Sequence, residues 1–219
     1  MSRERFEKEQ RHLQEEVLTL GILAERAVRS SVEALARKDL VEAQRIMDDD
    51  HIINERRFEL ENEILTIIAT QQPMAGDLRK LASSLELVGE LERIADYAKG
   101  IANVALMIGA EPLIKPLVDI PLMANKACGM LNRALDAFSR WDVDLGRAVP
   151  KEDKGVDALY EKIYRDLIAV IVKDPRTIDQ AIRLSWVAHN LERVADRVSN
   201  LCERVVFAVQ GRMEELAAP

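Results

Sequence analysis

The chain consists of long stretches with helical hydrophobic spacing, separated by short polar or proline-containing breaks. Apolar residues recur every three or four positions, the spacing that places them on one face of an α-helix. Proline and glycine mark the breaks, because proline in a helix interior removes a hydrogen bond and clashes with the preceding turn. The pattern predicts six helices, over residues 6–36, 41–70, 77–108, 122–140, 145–172 and 175–210.

The second half of the chain repeats the first. At an offset of 103, Ala34 matches Ala137, Asp39 matches Asp142 and Asp50 matches Asp153, and "LERIAD" (91–96) returns as "LERVAD" (191–196). A period near 100 residues is too long for a solenoid repeat, and short connections favour antiparallel neighbouring helices. We therefore predict an all-α fold of two tandem antiparallel three-helix bundles related by internal duplication. The proline-containing segment 109–121 places the two domains at 1–112 and 113–219.

Net charge, apolar runs and cysteine spacing argue against several functional classes of protein. The 219 residues carry a formal net charge of −7, whereas nucleic-acid-binding surfaces are usually basic, so no nucleic-acid partner is expected. No apolar run reaches the roughly 20 residues that span a bilayer, and the N-terminus is too polar for a signal peptide. Cys128 and Cys202 do not have the spacing of a metal or redox motif. We expect a cytoplasmic location with both thiols reduced.

The repeated hexamer places two carboxylates on one helix face. Glu92 and Asp96, like Glu192 and Asp196, are four residues apart. Side chains at this spacing are neighbours, and two like charges there destabilise an isolated helix by a few tenths of a kcal/mol. Retention of the pair in both halves indicates that something offsets the repulsion.

A second oxygen-bearing pair precedes each hexamer on the neighbouring helix. Asp50 and Asn54 occupy one such pair in the first half, and Asp153 and Asp157 occupy the other in the second half. An antiparallel hairpin brings each of these pairs to a height similar to that of the hexamer carboxylates. We therefore expect four converging oxygen-bearing side chains in each bundle. Such a cluster suits a hard divalent cation.

Other interpretations stay open at this stage. A single Glu-x-x-x-Asp pair is usually a solvated helix face, so a metal-free structural or adaptor bundle is one alternative. A metal-dependent phosphoesterase is another, although no nucleophile or base motif is present. No Glu-x-x-His pair of the di-iron bundles occurs. We expect Trp186 to lie in the core and Trp141, at a helix break, to cap one end of a bundle.

Four segments resemble the PhoU family of bacterial phosphate-signalling regulators: "QQPMAGDLRKL" (71–81), "LERIADYAKGIA" (91–102), "DPRTID" (174–179) and "NLERVADRVSNLCERV" (190–205). The resemblance covers nearly the whole chain, including the duplication and the order of the motifs. It implies two tandem three-helix bundles that bind metal through paired acidic motifs.

Carried over residue by residue, the family's metal-binding pattern assigns Asp50, Asn54, Glu92 and Asp96 to the first bundle, and Asp153, Asp157, Glu192 and Asp196 to the second. The resemblance implies iron, zinc, manganese or magnesium, and multinuclear centres are among the sites that it implies. The sequence departs from the family motif at Ala95, Ala195, Tyr97, Arg197 and Gly100, whereas Asn200 keeps the family's residue. Asn54 supplies no charge, and the first bundle has fewer ligands. We therefore expect weaker metal binding there.

The function that the resemblance implies is regulation and not catalysis. PhoU-like proteins restrain the phosphate ABC transporter when phosphate is plentiful and hold a partner sensor histidine kinase in its silencing state. The expected partners are therefore the transporter, through its ATPase subunit, and the kinase, with a homodimer as the expected assembly. We expect association with the membrane only through these partners.

Overall fold

The structure, a computed structural model, describes residues 3–216, which form helices and no strands. Seven α-helices follow one another along this part of the chain: α1 (Arg3–Arg37), α2 (Leu40–Gln71), α3 (Gly76–Ile108), α4 (Asp119–Arg140), α5 (Val143–Ala148), α6 (Lys154–Lys173) and α7 (Ile178–Gln210). Helices α1–α3 form one three-helix unit and α4–α7 repeat it, which confirms the predicted duplicated all-α architecture. The domain division at residue 112 falls between α3 and α4 and stays a prediction.

The turn between the first two helices is built in the same way in both units. Lys38 and Trp141 take the left-handed conformation, with φ of 56° and 53°. The next residue, Asp39 or Asp142, then accepts a hydrogen bond from a backbone N–H three positions later, at 3.0 and 2.9 Å. A carboxylate at this position satisfies a donor that the helix leaves unpaired. Trp141, packed edge-on against Phe138 at 5.0 Å, ends α4 as predicted.

The predicted fifth helix is divided in the structure. A 3₁₀ turn over Val149–Glu152 separates α5 from α6. Pro150 has no N–H group to continue the α-helical ladder, which explains the interruption. The equivalent stretch of the first unit contains no proline, and α2 runs straight through it.

The two units meet along the third helix of each. Helices α3 and α7 run antiparallel: Arg79 Nε and Ser83 Oγ donate to the carbonyl oxygens of Ala208 and Arg204 at 3.3 and 3.0 Å. Near the middle, Glu90 accepts a hydrogen bond from Asn200 at 3.1 Å. Most of the buried apolar residues of both helices belong to one continuous hydrophobic core.

The prediction that Trp186 lies in the core was wrong. Its relative exposure is 55%, and Ile182 on the preceding turn is also exposed. The helical spacing of α7 places residue 186 opposite the buried positions Leu184 and Leu191, so hydrophobicity alone misassigned it. No helix among residues 3–216 is both long and apolar enough to cross a bilayer.

Substitution of the two equivalent helix-capping residues, Asp39 and Asp142, tests whether both repeats use the cap for stability. Asp39→Ala and Asp142→Ala should each lower the free energy of unfolding by about 1 kcal/mol, because a helix N–H loses its acceptor. Urea denaturation measures the effect. Asp39→Asn and Asp142→Asn keep an accepting oxygen and are the matched controls. Equal losses in the alanine and asparagine variants would show that the caps do not stabilise the turns.

Candidate functional site

The first cluster, Asp50, Asn54, Glu92 and Asp96, lies on α2 and α3, where those helices face each other. Asp50 is 7% exposed and accepts a hydrogen bond from Asn54 Nδ2 at 3.0 Å. The ammonium group of Lys99 also donates to the same carboxylate oxygen, Oδ2, at 2.7 Å. A cation supplied by the chain itself therefore already holds the most buried carboxylate of this cluster.

A second cation of the chain, Arg57, pairs with Glu92 of the first cluster. Arg57 Nη1 donates to Glu92 Oε1 at 3.0 Å, and its Nε donates to Glu61 at 2.8 Å. Asp96 is exposed at its surface but partly desolvated, and this desolvation, followed by the charge of Asp50, raises its pKa, whereas Lys99 and Arg57 act against that shift. The two cations leave little negative charge for a bound metal ion to neutralise.

The second cluster, Asp153, Asp157, Glu192 and Asp196, lies between the N-terminal end of α6 and the middle of α7. Asp153 Oδ1 and Glu192 Oε2 are both buried without a hydrogen-bond partner. Glu192 Oε2 is 3.1 Å from His189 Nδ1 but lacks hydrogen-bond geometry. Such orphaned oxygens are uncommon in folded proteins and point to a missing ligand or a protonated state.

In the second cluster, burial and repulsion between neighbouring carboxylates raise the pKa of three carboxyl groups. Burial, followed by Asp157, Asp196 and Glu192, raises the pKa of Asp153 to about 6. Burial and then Asp196 raise the pKa of Asp157, and burial also raises that of Glu192. The counter-charges within the cluster are peripheral: Arg193 donates to Asp196 at 3.0 Å, and His189 faces Glu192.

The difference between the clusters comes from two repeat-equivalent positions. Lys99 of the first unit corresponds to Ser199 at the hexamer offset of 100, and Arg57 corresponds to Tyr160 at the offset of 103. Ser199 is buried and its hydroxyl makes no hydrogen bond. Reasoning from the acid motifs missed Lys99 and Arg57. A comparison of the two halves at these offsets would have revealed them.

In neither cluster are the side chains already arranged to coordinate a metal ion. Within residues 3–216, no group of three or more His, Cys, Asp or Glu side chains has an arrangement that could hold a metal ion. The donor set of the second cluster still suits a hard cation, since it consists of carboxylates with two unsatisfied buried oxygens. The carboxylates would have to approach one another when a cation binds, because their charges repel in its absence.

Comparison with known families matches the whole duplicated region. The profile of the PhoU domain matches residues 17–105 and again 120–205. The phosphate-specific transport system accessory protein PhoU homolog of Clostridium acetobutylicum is 33% identical over 217 residues, with 99% of each chain covered. The homologue from Pseudomonas aeruginosa is 33% identical over 95% of this chain and 86% of its own.

Solved structures agree with the sequence comparisons. The phosphate transport system regulatory protein PhoU from Streptococcus pneumoniae superimposes with a TM-score of 0.89 at 28% identity, covering 96% of this chain and all of the other. PhoU from Pseudomonas aeruginosa gives a TM-score of 0.88 at 33% identity, with 94% of this chain and all of the other covered.

Equivalent substitutions in the two clusters should change stability in opposite directions. In metal-free protein near neutral pH, Asp153→Asn should raise the free energy of unfolding by about 1 kcal/mol, because it removes a repelling charge that solvent only partly screens. Asp50→Asn should lower it by about 1–3 kcal/mol, because Lys99 loses a buried partner. Chemical denaturation in the presence of a chelator measures both.

The direction of the pKa shift of Asp153 determines how the stability gain of Asp153→Asn depends on pH. The folded pKa of about 6 lies above the ordinary value, so the folded state binds the proton more tightly. Ionisation of Asp153 therefore destabilises the fold above that pKa. The gain in Asp153→Asn should fade as the pH falls from about 6 to about 4. A stability gain of the same size at about pH 6 and at about pH 4 would contradict the raised pKa assigned to Asp153.

Proposed function

Because the chain belongs to the PhoU family, we propose that it is an accessory regulator of a phosphate-specific transport system, acting by protein contact and not by catalysis. The observation that carries this proposal is the match of both repeats to the PhoU domain, together with full-length relatives named as accessory or regulatory proteins of phosphate transport. The long paired helices supply faces on which partner helices can pack.

The proposed role is negative regulation of phosphate uptake and of the phosphate-starvation response. The proposed partners are the ATPase subunit of the phosphate ABC transporter and a phosphate-sensing histidine kinase at the cytoplasmic side of the membrane. We further propose that the active form is a homodimer. Support for contact with the transport system comes from the names of the relatives.

Deletion of the gene from its host tests the regulatory role. Cells without it should express a phosphate-starvation reporter in phosphate-rich medium, because nothing then holds the sensor kinase silent. The intact gene supplied in trans should restore silencing, and reporter activity with phosphate uptake gives the readout. Normal silencing in the deletion strain, with no second copy of the gene present, would overturn the proposal.

We also propose that the second cluster binds metal and that the first binds it weakly or not at all. Asp153, Asp157, Glu192 and Asp196 would hold the ion through hard oxygen ligands, for which iron, manganese, magnesium and zinc are candidates. A bound ion would supply the positive charge that this cluster lacks. The supporting contrast is the first cluster, where Lys99 and Arg57 already supply that charge.

Element analysis of untagged protein tests this asymmetry. The variant with alanine at Asp153, Asp157, Glu192 and Asp196 should lose nearly all bound metal, because it removes the ligands. The matched variant with alanine at Asp50, Asn54, Glu92 and Asp96 should retain the wild-type content. Equal losses in the two variants would contradict the asymmetry. Absence of metal from wild-type protein, even after incubation with each ion, would favour the metal-free adaptor alternative.

A converse variant provides a gain-of-binding control. Lys99→Ser with Arg57→Tyr gives the first cluster the residues that stand at these positions in the second. Removal of both internal cations should raise the metal content above that of the wild type. An unchanged content would show that the cations are not what weakens the first site.

A further inference from the structure

The two repeats carry equivalent surface grooves whose chemistry has diverged. In each unit the groove lies between the first helix and the segment that follows the capped turn. The first groove is lined in part by Leu23, Arg26, Ala27, Ser30, Asp49 and Ile52. At the offset of 103 these positions become Lys126, Gly129, Met130, Arg133, Glu152 and Gly155, and all six line the second groove together with Lys151.

The first groove is mainly apolar. Ile46, Ile52 and Ile53 contribute to its wall, and Arg45 at its edge is paired with Glu42 at 2.8 Å. Acidic side chains of the lining, including Asp49 and Asp50, offset its two arginines. This groove has no excess of positive charge.

The second groove is cationic in an otherwise acidic chain. Lys126, Arg133 and Lys151 line it, and Glu152 is its one acidic lining residue, so the groove carries a formal charge of +2 against −7 for the whole chain. Its volume is about 400 Å³. A concentration of one sign of charge in a concave surface raises the local concentration of counter-ions.

Two of these cations are available for a ligand. Lys126 and Lys151 make no ion pair and no side-chain hydrogen bond to any residue within 3–216, whereas Arg133 is paired with Glu152. The two ammonium groups are therefore donors that can bind an anion.

Glycine creates the space between the cations. A β-carbon at position 155 would lie 3.3 Å from Lys126 Nζ, so glycine lets the ammonium group lie close to the first turn of α6 without having to shift. A β-carbon at position 129 would meet nothing within 4 Å, which leaves the other wall open. The equivalent positions of the first groove hold Ile52 and Arg26.

We propose that this second groove is a binding site for a phosphate-type dianion, held by the two unpaired cations Lys126 and Lys151, with the paired Arg133 adding positive charge beside them. Phosphate carries close to two negative charges near neutral pH and accepts several hydrogen bonds from ammonium and guanidinium groups. Free inorganic phosphate and the phosphoryl groups of a nucleotide share this chemistry. The site rests on the lining of the groove and does not depend on the proposed regulatory role.

Isothermal titration of the full chain tests the proposal, with inorganic phosphate in one arm and ATP in the other. Both arms are run near neutral pH at about 0.15 M salt, where non-specific attraction is largely screened. We expect saturable binding in at least one arm, and the arm that binds more tightly identifies the source of the phosphoryl group. No saturable binding in either arm overturns the proposal.

Two variants locate the binding in the second groove. Lys126→Gln with Lys151→Gln removes both unpaired cations and should weaken binding about tenfold or more. Gly129→Glu places a carboxylate in the groove from a position where a side chain meets no obstacle, and it should abolish binding. The matched control, Arg26→Gln with Arg45→Gln, removes two cations from the equivalent first groove and should bind as the wild type does.

Comparison with this control variant shows which results would contradict the proposed anion site. Equal weakening in Lys126→Gln/Lys151→Gln and in Arg26→Gln/Arg45→Gln would mean that binding follows net charge, which overturns a specific site. Wild-type binding in Gly129→Glu would place the anion elsewhere and overturn the proposal as well. Circular dichroism spectra of each variant confirm that the helices are intact before titration.

Discussion

The structure depends on the burial of the third helix of each repeat from several sides. Helix α3 buries residues around most of its circumference, including Leu87, Leu91, Ile94 and Ile101. A helix with so broad an apolar surface is stable in water only when neighbours surround it. Its own unit supplies α1 and α2, and the other unit supplies α7 along the remaining side. This requirement explains why the two three-helix units share one continuous core.

This packing also decides where polar chemistry can lie. With most of α3 and α7 buried, the repeated carboxylates occupy the strip beside the second helix of each unit, bordered by Ala95 or Ala195. Carboxylates so placed lose part of their hydration, and the loss must be offset by cations or by protonation. The first unit uses Lys99 and Arg57. The second lacks both, and burial together with the neighbouring carboxylates raises the pKa of its Asp153.

Much of this organisation follows from the sequence, for identifiable physical reasons. Helical spacing, proline and the internal offsets predict the helices, their order and the polar breaks at residues 37–40 and 141–144. The acid motifs lie on neighbouring helices of each unit, and their carboxylates interact across those helices. Periodicity does not reveal which cation reaches a carboxylate, because this depends on rotation between helices. The partners of Asp50 and Glu92 therefore emerge only from the structure, as does the exposure of Trp186.

The interruption at Pro150 links the two unusual features of the second repeat. In the first repeat α2 continues straight, so residues 48–50 occupy successive positions of a regular helix. In the second, the 3₁₀ turn places Lys151 and Glu152 along the groove beside α4, and the next residue, Asp153, faces the acids of α7. A cation-lined groove and an uncompensated acid cluster thus flank a single turn.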